Sequence, residues 1–375
     1  MKFRWIIWLS VVVFLWIVLT RLTEIEHLVA TLAGGDWLWV FVAAELQVLY
    51  YGVRSGLYQV AFSGVGVKSH IAELFPVTLS SLFLNVTAPT GGASGAALFV
   101  DYARRRGQSG PRAAVGTFIV LTADFIAFTF FLAAGMAYLF LVHDLKAYQI
   151  TAAILLLALT LGLSALMALG LLAPRRLRRV LKWMMRGVNR LATFLKRTKP
   201  ISDQRLRHIS HEFADAAQAL AAHPRSLARI LAVALAGHLV DLLSLAALFR
   251  AFQQPASLGV IVAGYAMGIL FWIVSITPQG IGVVEGTMTL VFTSLGMSGE
   301  RAAVIALSFR GLTFWLPFLA GFLLLRRVRA FTGEPPRPIL PISIDTDRIS
   351  SALRISDAKE PSPSGSQDPK AYKEL

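Results

Sequence analysis

The nine residues GQSGPRAAV at positions 107–115 recur as GMSGERAAV at positions 296–304, and seven of the nine are identical. The same offset of 189 residues relates two further pairs, Pro89 to Pro278 and Gly91 to Gly280. These Pro/Gly sites interrupt apolar stretches at corresponding positions, which indicates that the chain consists of two internal repeats. In membrane proteins, interrupted segments at corresponding places of two repeats are the best sequence-level indication of a transport site.

Composition and segment length together indicate a polytopic membrane protein. Hydrophobic residues make up 56% of the chain and charged residues 15%, and apolar segments repeatedly reach the roughly 20 residues that a spanning helix needs. The full-length candidates are 5–22, 37–60, 112–141, 147–173, 227–250 and 301–325. The first follows Lys2 and Arg4 like a signal peptide, but residues 20–23 offer no small-residue cleavage site, so we interpret it as a helix.

The basic residues are concentrated in three clusters, and these set the orientation. Four arginines lie within 104–112, ten lysines and arginines within 175–199, and three arginines within 326–329. The positive-inside rule places all three clusters in the cytoplasm. The connections predicted on the opposite side contain one lysine, Lys146, and are 23–36, 142–146 and 251–258. We therefore predict a protein of a bacterial-type cytoplasmic (inner) membrane, with cytoplasmic N- and C-termini.

Two apolar segments between the long helices begin and end on one side of the membrane. Both ends of 71–103 lie beside basic residues and are cytoplasmic, whereas 257–295 begins and ends outside. We expect re-entrant hairpins, with the turns Ala88-Pro89-Thr90-Gly91-Gly92 and Thr277-Pro278-Gln279-Gly280-Ile281-Gly282. Backbone freed at such a turn must find protein or water, so the turns imply a polar cavity. The alternative is that the longer arm of each hairpin spans fully, as 257–276 is long enough to do.

The predicted fold is an all-α polytopic membrane protein with about six full transmembrane helices plus two re-entrant Pro/Gly-broken hairpins in an inverted-topology repeat. The membrane transport domain covers 1–331 and consists of repeat 1 at about 37–141, repeat 2 at about 227–329 and a basic amphipathic cytoplasmic linker at 174–226. The tail 332–375 has seven prolines and little apolar content, so we predict that it is disordered and cytoplasmic.

The basic linker has apolar residues at helical spacing between its charges over 175–199. This pattern is typical of a helix lying on an anionic leaflet, so anionic lipid is a predicted partner. The alternative is that the charges only fix the topology. Nucleic acid is not a predicted partner, because the basic residues lie at helix ends and along this apolar stripe and not on a soluble domain.

Ionisable residues at membrane depth locate the predicted cavity. Glu285 and Arg310 each lie ten residues inside the outer end of their segment, about 15 Å deep at 1.5 Å per residue. A lone charge there costs roughly 2.5–3.5 kcal/mol, so the two should face the interior and each other. Asp124, His238 and Asp241 lie at similar depth. The alternative is a buried ion-pair network that only fixes helix register.

These observations define the candidate substrate-binding residues. Asn85, one turn before the first break, could either cap freed backbone or bind a head group. The full set of candidates is Asn85, Pro89, Gly91, Gly92, Asp124, His238, Asp241, Pro278, Gly280, Gly282, Glu285 and Arg310. No cofactor and no metal are predicted, since the chain has no cysteine and its histidines lack metal-ligand spacing.

The two turn regions resemble the paired motifs of the lysylphosphatidylglycerol synthase transmembrane-region family, also called flippase-like integral membrane proteins. The Asn-x-x-x-Pro-x-Gly-Gly turn from Asn85 is similar to its N-terminal motif, and Pro-x-Gly followed by Glu285, Arg310 and the 317–321 helix end is similar to its C-terminal one. Many members have an acidic residue after the first turn, where this chain has Ala93-Ser94-Gly95. The resemblance covers most of 1–330 and implies translocation of a lipid or lipid-linked glycan. It does not carry synthase activity with it, because only a short polar tail follows residue 331.

The predicted function is therefore translocation between leaflets of a lipid or lipid-linked head group, with a membrane phospholipid or isoprenoid-linked lipid as partner. No catalytic constellation and no nucleotide-binding Gly-Lys-Thr/Ser loop occurs in the sequence, so we do not expect an enzyme or direct ATP coupling. Two alternatives stay open: an ion-coupled permease for a small polar solute, and an intramembrane enzyme that uses Glu285 or Asp241 with His238.

Overall fold

The computed structural model describes residues 34–88, 92–172, 224–275 and 277–325, together with the single positions 176 and 218. The predicted helix at 5–22, the tail 332–375 and all of the 175–199 segment except Arg176 lie outside these residues. Every regular element within the described ranges is helical. The all-helical prediction is confirmed for this part of the chain.

The helices form two sets of the same design. The first half contains α1 Trp37–Gly64, α2 Ile71–Thr87, α3 Ala93–Arg105 and α4 Gly110–Leu141, and α5 Ala147–Leu172 follows it. The second half contains α6 Pro224–Ala251, α7 Leu258–Val274, α8 Val283–Ser294, α9 Gly299–Arg310 and α10 Leu316–Leu325. A π-helical turn, Gly311–Trp315, joins α9 to α10 into one long helix. Each half is thus a long helix, two short helices and a long helix, and each start agrees within two residues with the 189-residue offset.

Four helices in the described residues are long and apolar enough to cross a membrane. They correspond to four of the predicted spans and are Gly110–Leu141, Ala147–Leu169, Arg225–Ala251 and Gly299–Leu325. Helix α1 has 28 residues but is more polar, since it contains Glu45, Gln47 and Arg54. The chain is an integral membrane protein, while the count of about six spans still depends on α1 and on 5–22.

The repeated motif is a helix start in both halves. Ser109 is the N-cap of α4, where its hydroxyl accepts a hydrogen bond from the Arg112 N–H, and Ser298 is the N-cap residue of α9. Just before them, Gly107 and Gly296 have positive φ angles of 70° and 94° where α3 and α8 end. Glycine adopts this left-handed geometry without steric cost, and serine is a favoured N-cap. The motif therefore encodes the turn from a short helix into a long one.

The short helices form two broken hairpins, which we name the first hairpin (α2 and α3) and the second hairpin (α7 and α8). Helices α2 and α7 have 17 residues each, α3 has 13 and α8 has 12. Both breaks fall at the predicted turns, after Thr87 and after Val274. Glycines with positive φ, Gly92 at 89° and Gly282 at 81°, precede the second arms. The structure confirms that both apolar segments break there.

The halves contact each other through matched pairs of helices. The most extensive contact joins α1 to α6, which are the first helices of the two halves. The first hairpin packs through α2 against α10, and the second hairpin packs through α7 against α4. Helix α2 is the counterpart of α7, and α4 is the counterpart of α9–α10. The contact of α2 with α10 in one half therefore corresponds to the contact of α7 with α4 in the other. The halves therefore have an approximate two-fold arrangement of contacts.

Each of these two hairpin contacts has a glycine where the two helices approach most closely. A Cβ on Gly321 of α10 would overlap the Leu79 carbonyl oxygen of α2, and a Cβ on Gly135 of α4 would overlap Ala266 of α7. In lipid, where apolar helices gain little by leaving their surroundings, small residues at contacts let backbones approach closely and gain van der Waals energy. The two glycines thus bring each hairpin against the long helix of the opposite half.

Candidate functional site

A cavity of about 190 Å³ lies between the two halves. Helices α1, α2, α4, α6, α7, α8 and α9, the second break and the π turn all contribute to its wall. Its charged or titratable wall residues other than tyrosines are Arg54, Asp124, His238, Asp241 and Arg310. The sequence predicts a shared polar cavity beside both breaks, and the wall of this cavity includes Asn85 of the first hairpin and Gln279 of the second break.

The second break is held by an ion pair. Arg310 Nε lies 3.0 Å from Glu285 Oε1, and the two side chains are 8% and 13% exposed. Arg310 also donates through Nη2 to the Gln279 carbonyl oxygen at 3.0 Å, while the Gly282 N–H donates to Glu285 Oε2 at 2.8 Å. A helix N-terminus favours an acidic side chain, so Glu285 also matches the start of α8. The predicted pairing of Glu285 with Arg310 is confirmed.

Arg310 forms part of the cavity wall, and Glu285 lies behind it. The guanidinium is 4.6 Å from the centroid of the Phe314 ring, one turn further along the helix. Glu285 is not among the cavity-lining residues, and it reaches the site only by holding Arg310. A guanidinium has five N–H donors, and two of them are directed at Glu285 and Gln279. The other three, one on Nη2 and two on Nη1, have no hydrogen-bond partner among the described residues.

A second ion pair lies on the first-half side of the cavity. Arg54 Nη1 of α1 is 2.8 Å from Asp124 Oδ1 of α4, and the side chains are 22% and 10% exposed. The Arg54 guanidinium lies 5.9 Å from the centroid of the Tyr50 ring. Tyr51, on the same helix, donates its hydroxyl to the Thr313 carbonyl oxygen at 2.9 Å. Each half therefore contributes one paired arginine to the cavity wall.

His238 and Asp241 lie one turn apart on α6 and each binds a residue of another helix. His238 Nδ1 is 2.9 Å from the hydroxyl of Tyr265, which belongs to the second hairpin. Gln47 Nε2 of α1 donates to Asp241 Oδ1 at 2.8 Å. On its other edge, His238 Nε2 is 3.3 Å from the Asp124 backbone carbonyl oxygen. This chain of polar contacts joins α1, α4, α6 and α7.

Asn85 caps the first break. Its Oδ1 accepts the Gly95 N–H at 2.8 Å and the Ser94 hydroxyl at 3.1 Å. The Ser94 hydroxyl is also 2.8 Å from the carbonyl oxygen of Ala88. The sequence left open whether Asn85 caps backbone or contacts a head group, and the structure confirms the capping role. Asn85 also belongs to the cavity wall.

The structure brings together five of the predicted candidates in the cavity wall, and they are Asn85, Asp124, His238, Asp241 and Arg310. Gly92, Pro278, Gly280 and Gly282 shape the breaks and are not among the lining residues. Gly280 is buried at a φ of 68° against Trp272 and Val284. Pro89 and Gly91 lie outside the described residues.

The prediction omitted several polar residues that line the cavity or hydrogen-bond its wall residues. Arg54 is visible in the sequence as a charge inside a predicted span, but its partner Asp124 lies 70 positions away. Gln47, Tyr51 and Tyr265 are polar residues on apolar helices, and no spacing rule in one sequence identifies which of them face inward. Gln279 has a φ of 54° within the second break, where it accepts from Trp272 Nε1 at 2.9 Å.

Within the described residues, no group of three or more His, Asp or Glu side chains has the geometry to hold a metal ion. The buried carboxylates of Asp124 and Asp241 are bonded instead to Arg54 and Gln47. The site is thus a set of ion pairs and hydrogen bonds around a small cavity at the meeting point of both halves.

Comparisons with known proteins agree with this architecture. The family model described as "Lysylphosphatidylglycerol synthase TM region" matches residues 5–321. A "UPF0104 membrane protein" of Methanothermobacter thermautotrophicus is 21% identical over 295 residues, which is 78% of this chain and 85% of that protein. Another, from Methanocaldococcus jannaschii, is 23% identical over 314 residues, which is 80% of this chain and 87% of that protein.

The matched region takes in both hairpins, the cavity and the two ion pairs described above. It ends at Gly321, the contact between α10 and the first hairpin. The family resemblance stated from Asn85, Glu285 and Arg310 is thereby confirmed over most of the chain. This integral membrane protein belongs to the lysylphosphatidylglycerol synthase transmembrane-region family, together with UPF0104 membrane proteins.

Proposed function

We propose that this chain is a flippase-like transporter that moves a lipid, or a lipid-linked head group, between the two leaflets of a cytoplasmic membrane. One observation carries the proposal: one polar cavity is lined by both broken hairpins and by one paired arginine from each half. Charged groups at membrane depth are costly and mark substrate pathways by default. Transporter sites commonly lie at the interface between repeats, at broken helices.

The contact pattern supports an inverted arrangement of the two repeats. Each hairpin packs against a long helix of the opposite half, as expected for repeats related by a two-fold axis. In the membrane, we propose that this axis lies in the bilayer plane, because the basic clusters put the ends of the first hairpin inside and those of the second outside. The hairpins would then enter from opposite faces, with the N- and C-termini in the cytoplasm.

The lengths of the hairpin arms favour re-entrance over full spans. Helices α3 and α8 have 13 and 12 residues, which gives about 20 and 18 Å at 1.5 Å per residue. The hydrocarbon core is about 30 Å thick, so these arms fall short of crossing it. The longer arms, at 17 residues, reach about 26 Å and could carry each break to the midplane.

Head-group recognition would depend on the arginines. We propose that Arg310 and Arg54 bind the anionic part of a phospholipid or isoprenoid-linked head group, with Glu285 and Asp124 orienting them. Guanidinium groups suit phosphate because they present several donors in one plane. A cavity of about 190 Å³ holds a head group but not acyl chains, so the chains would remain in the lipid. The basic 175–199 segment would bind anionic lipid at the cytoplasmic surface.

A permease for a small polar solute is the second candidate, and the cavity volume is the observation that favours it. A space of about 190 Å³ admits a free solute as readily as a tethered head group. We propose transport and not catalysis for the flippase and for the permease alike. Each carboxylate near the wall is bonded to a partner within the protein, so none is left to act on a substrate.

The test is lipid translocation by the full chain reconstituted in liposomes. A phosphatidylglycerol labelled on its acyl chain is added, and external dithionite bleaches only the label in the outer leaflet. We expect faster exchange between leaflets than in protein-free vesicles, and we expect Glu285→Gln with Arg310→Gln to remain folded but inactive. Removing both members of the pair avoids leaving one charge buried alone.

The matched control is Glu73→Gln with Arg106→Gln, which removes a second glutamate–arginine pair at the exposed base of the first hairpin. This variant should translocate lipid at the wild-type rate. A Glu285/Arg310 double variant that also moves lipid at the wild-type rate would return that pair to a structural role. Uptake of soluble glycerol phosphate without lipid exchange would contradict the flippase proposal and support the permease.

A further inference from the structure

Two amide side chains, one from each broken hairpin, line the cavity with their oxygen atoms already bonded. Asn85 Oδ1 accepts the Gly95 N–H at 2.8 Å, and Gln279 Oε1 accepts from Trp272 Nε1 at 2.9 Å. A carboxamide has one oxygen acceptor and one N–H₂ donor group. The bonded oxygen fixes the orientation of each amide, so the position of its N–H₂ group is fixed as well.

The N–H₂ groups of these two amides have no hydrogen-bond partner in the part of the chain that the structure describes. Both side chains are partly buried. Neither Asn85 Nδ2 nor Gln279 Nε2 belongs to the buried polar atoms that lack a partner, so each nitrogen keeps accessible surface. Because both residues form part of the cavity wall, the cavity is where these donors can meet a ligand.

Arg310 adds donors of the same kind beside Gln279. Its Nε and one N–H of Nη2 are bonded to Glu285 Oε1 and to the Gln279 carbonyl oxygen, both at 3.0 Å. These two bonds and the Phe314 ring, whose centroid is 4.6 Å away, hold the guanidinium in place. Gln279 thus binds Arg310 through its backbone and carries an unpaired amide N–H₂ group on its side chain.

The first break lies close to this arginine and glutamine. Helix α2, which ends two residues after Asn85, contacts the 278–280 segment of the second break. Leu84 and Ile281, which flank the two breaks, pack against one buried cluster that contains Phe314. The unpaired donors therefore approach one end of the cavity from three elements: α2, the second break and α9.

The chemistry of these groups favours an oxyanion as their ligand. Amide N–H₂ and guanidinium groups donate hydrogen bonds, and guanidinium groups match the geometry of phosphate. Donors that come from three elements suit the tetrahedral oxygens of phosphate better than the two coplanar oxygens of a carboxylate. The carboxylates of the cavity wall, Asp124 and Asp241, come from α4 and α6 and are bonded to Arg54 and Gln47.

We propose that Asn85 Nδ2, Gln279 Nε2 and the unpaired N–H groups of Arg310 form one oxyanion site, in which a bound phosphate group joins the two hairpin breaks. The site rests on the proposed function for the lipid origin of that phosphate. Asn85 then has two roles on different atoms, since Oδ1 caps the first break and Nδ2 binds the ligand. Binding holds the hairpins together, and release of the ligand lets them separate.

The first measurement is ligand binding by the full chain in a non-ionic detergent. A ligand that binds the folded protein raises the midpoint of thermal unfolding in a concentration-dependent way. We expect this rise with dihexanoyl phosphatidylglycerol, which carries a phosphate. We expect none with dihexanoylglycerol, which has the same acyl chains and no phosphate. Equal shifts with both lipids would overturn the site.

Two variants remove the donors and keep the acceptors. Asn85→Asp and Gln279→Glu retain the bonded oxygen but replace the N–H₂ group with a second oxygen. Each should fold and should bind dihexanoyl phosphatidylglycerol at least about tenfold more weakly. Gln253→Glu is the matched control, because Gln253 has a φ of 52° close to the 54° of Gln279 but is not part of this cavity wall. It should bind like wild type.

A neutral variant separates loss of the donors from the added charge. Gln279→Met removes the amide without introducing a carboxylate, and its affinity for dihexanoyl phosphatidylglycerol should fall about tenfold. Wild-type affinity in Gln279→Met, with losses only in Asn85→Asp and Gln279→Glu, would overturn the site. In that case repulsion by the added charge would explain the losses without any contact to the amides.

Hydrogen–deuterium exchange tests whether one ligand joins both breaks. Saturating dihexanoyl phosphatidylglycerol should slow amide exchange over both 92–96 and 280–286 in wild type. At the same concentration, which does not saturate the weaker variant, Gln279→Glu should lose this protection in both segments. Protection of one segment alone in wild type would overturn the joining of the two hairpins.

Inorganic phosphate and glycerol phosphate identify the source of the oxyanion. Shifts as large as those of the lipid, with the same sensitivity to Gln279→Glu, would support the oxyanion site and assign it to a free phosphate compound. Vesicles that move no lipid, combined with the expected binding, would contradict the proposed function and leave the site supported. Lipid movement together with wild-type binding in Asn85→Asp and Gln279→Glu would contradict the site alone.

Discussion

Each hairpin is tied by a glutamate–arginine pair, but the two pairs lie at opposite ends. In the first hairpin, Glu73 at the start of α2 pairs with Arg106 just beyond α3, at the exposed base. In the second hairpin, Glu285 at the break pairs with Arg310 of a different helix; Arg310 is buried and Glu285 is partly buried. The break of the first hairpin is held by the neutral Asn85, from within the same hairpin.

The first break is therefore fixed by bonds within its own hairpin, whereas the second break depends on a helix outside its hairpin. The described bonds that fix the first break join residues no more than ten positions apart. The second break is fixed across 25 and 31 positions, to the long helix that follows. Any displacement of α9 therefore changes the second break directly. The fold repeats and both halves contribute an ion pair near the cavity, but among the described residues an arginine of a long helix holds only the second break.

The sharpest test of the comparison concerns the sides from which the hairpins enter. The chain has no native cysteine, so single cysteines can be introduced without a background. Cysteines at Lys68 and Arg106 should react only with a membrane-impermeant maleimide supplied from the cytoplasm, and those at Ser257 and Ser298 only from outside. All four positions are exposed. Labelling of either pair from the other side would contradict the inverted repeat.

The largest energetic contrast is expected between the two arginines. Arg310→Gln leaves the partly buried Glu285 without its counter-charge and with only the Gly282 N–H as a donor, which should lower the free energy of unfolding by about 3 kcal/mol. Arg106→Gln removes the arginine of a surface pair, which should cost at most about 1 kcal/mol. Thermal unfolding in detergent would measure both. Equal losses for the two variants would mean that the buried pair is not specially important to the second break.

The glycine contacts should give a smaller effect. Gly321→Ala places a Cβ against the Leu79 carbonyl, which is backbone and cannot move aside. We expect a loss of about 1–3 kcal/mol. Gly135→Ala meets the Ala266 side chain first, and we expect the lower end of the same range. Thermal unfolding of the two variants should show this order, and the reverse order would place the tighter contact at the second hairpin.

The smallest effect is expected at the first break. Asn85→Ala removes the acceptor of the Gly95 N–H, which should cost about 1 kcal/mol. Asn85→Asp retains an oxygen acceptor at a helix N-terminus and should keep wild-type stability. The midpoints of thermal unfolding of Asn85→Ala and Asn85→Asp, each compared with wild type, would measure the two effects. A loss in Asn85→Ala as large as in Arg310→Gln would show that both breaks are equally demanding.

Much of the architecture could be read from the sequence because its causes are local or repeated. Helix boundaries follow from N-caps such as Ser109 and from the glycines before them. The pairing of Glu285 with Arg310 follows from equal depth, since an unpaired charge in hydrocarbon is costly. The breaks follow from Pro and Gly inside apolar runs. Each of these arguments needs only position along the chain.

The composition of the cavity wall could not be read in the same way. Arg54 and Asp124 are 70 positions apart, and Gln47 and Asp241 are 194 apart. Such partners depend on helix rotation, which a uniformly apolar helix does not encode clearly. Helix α4, for example, presents buried residues around much of its circumference. The sequence thus predicted the Glu285–Arg310 pair but not which helix faces build the cavity.

The π turn at Gly311–Trp315 gives the last long helix two separate faces. A π turn holds an additional residue, and one residue corresponds to a rotation of roughly 100° about the helix axis. Arg310, before the turn, is directed at the second break, whereas Phe318 and Gly321, after it, meet the first hairpin. The residues before the turn and those after it therefore face different directions, so that one helix contacts both hairpins. Deleting one residue from the turn would keep the helix intact but rotate its contact with one hairpin relative to its contact with the other.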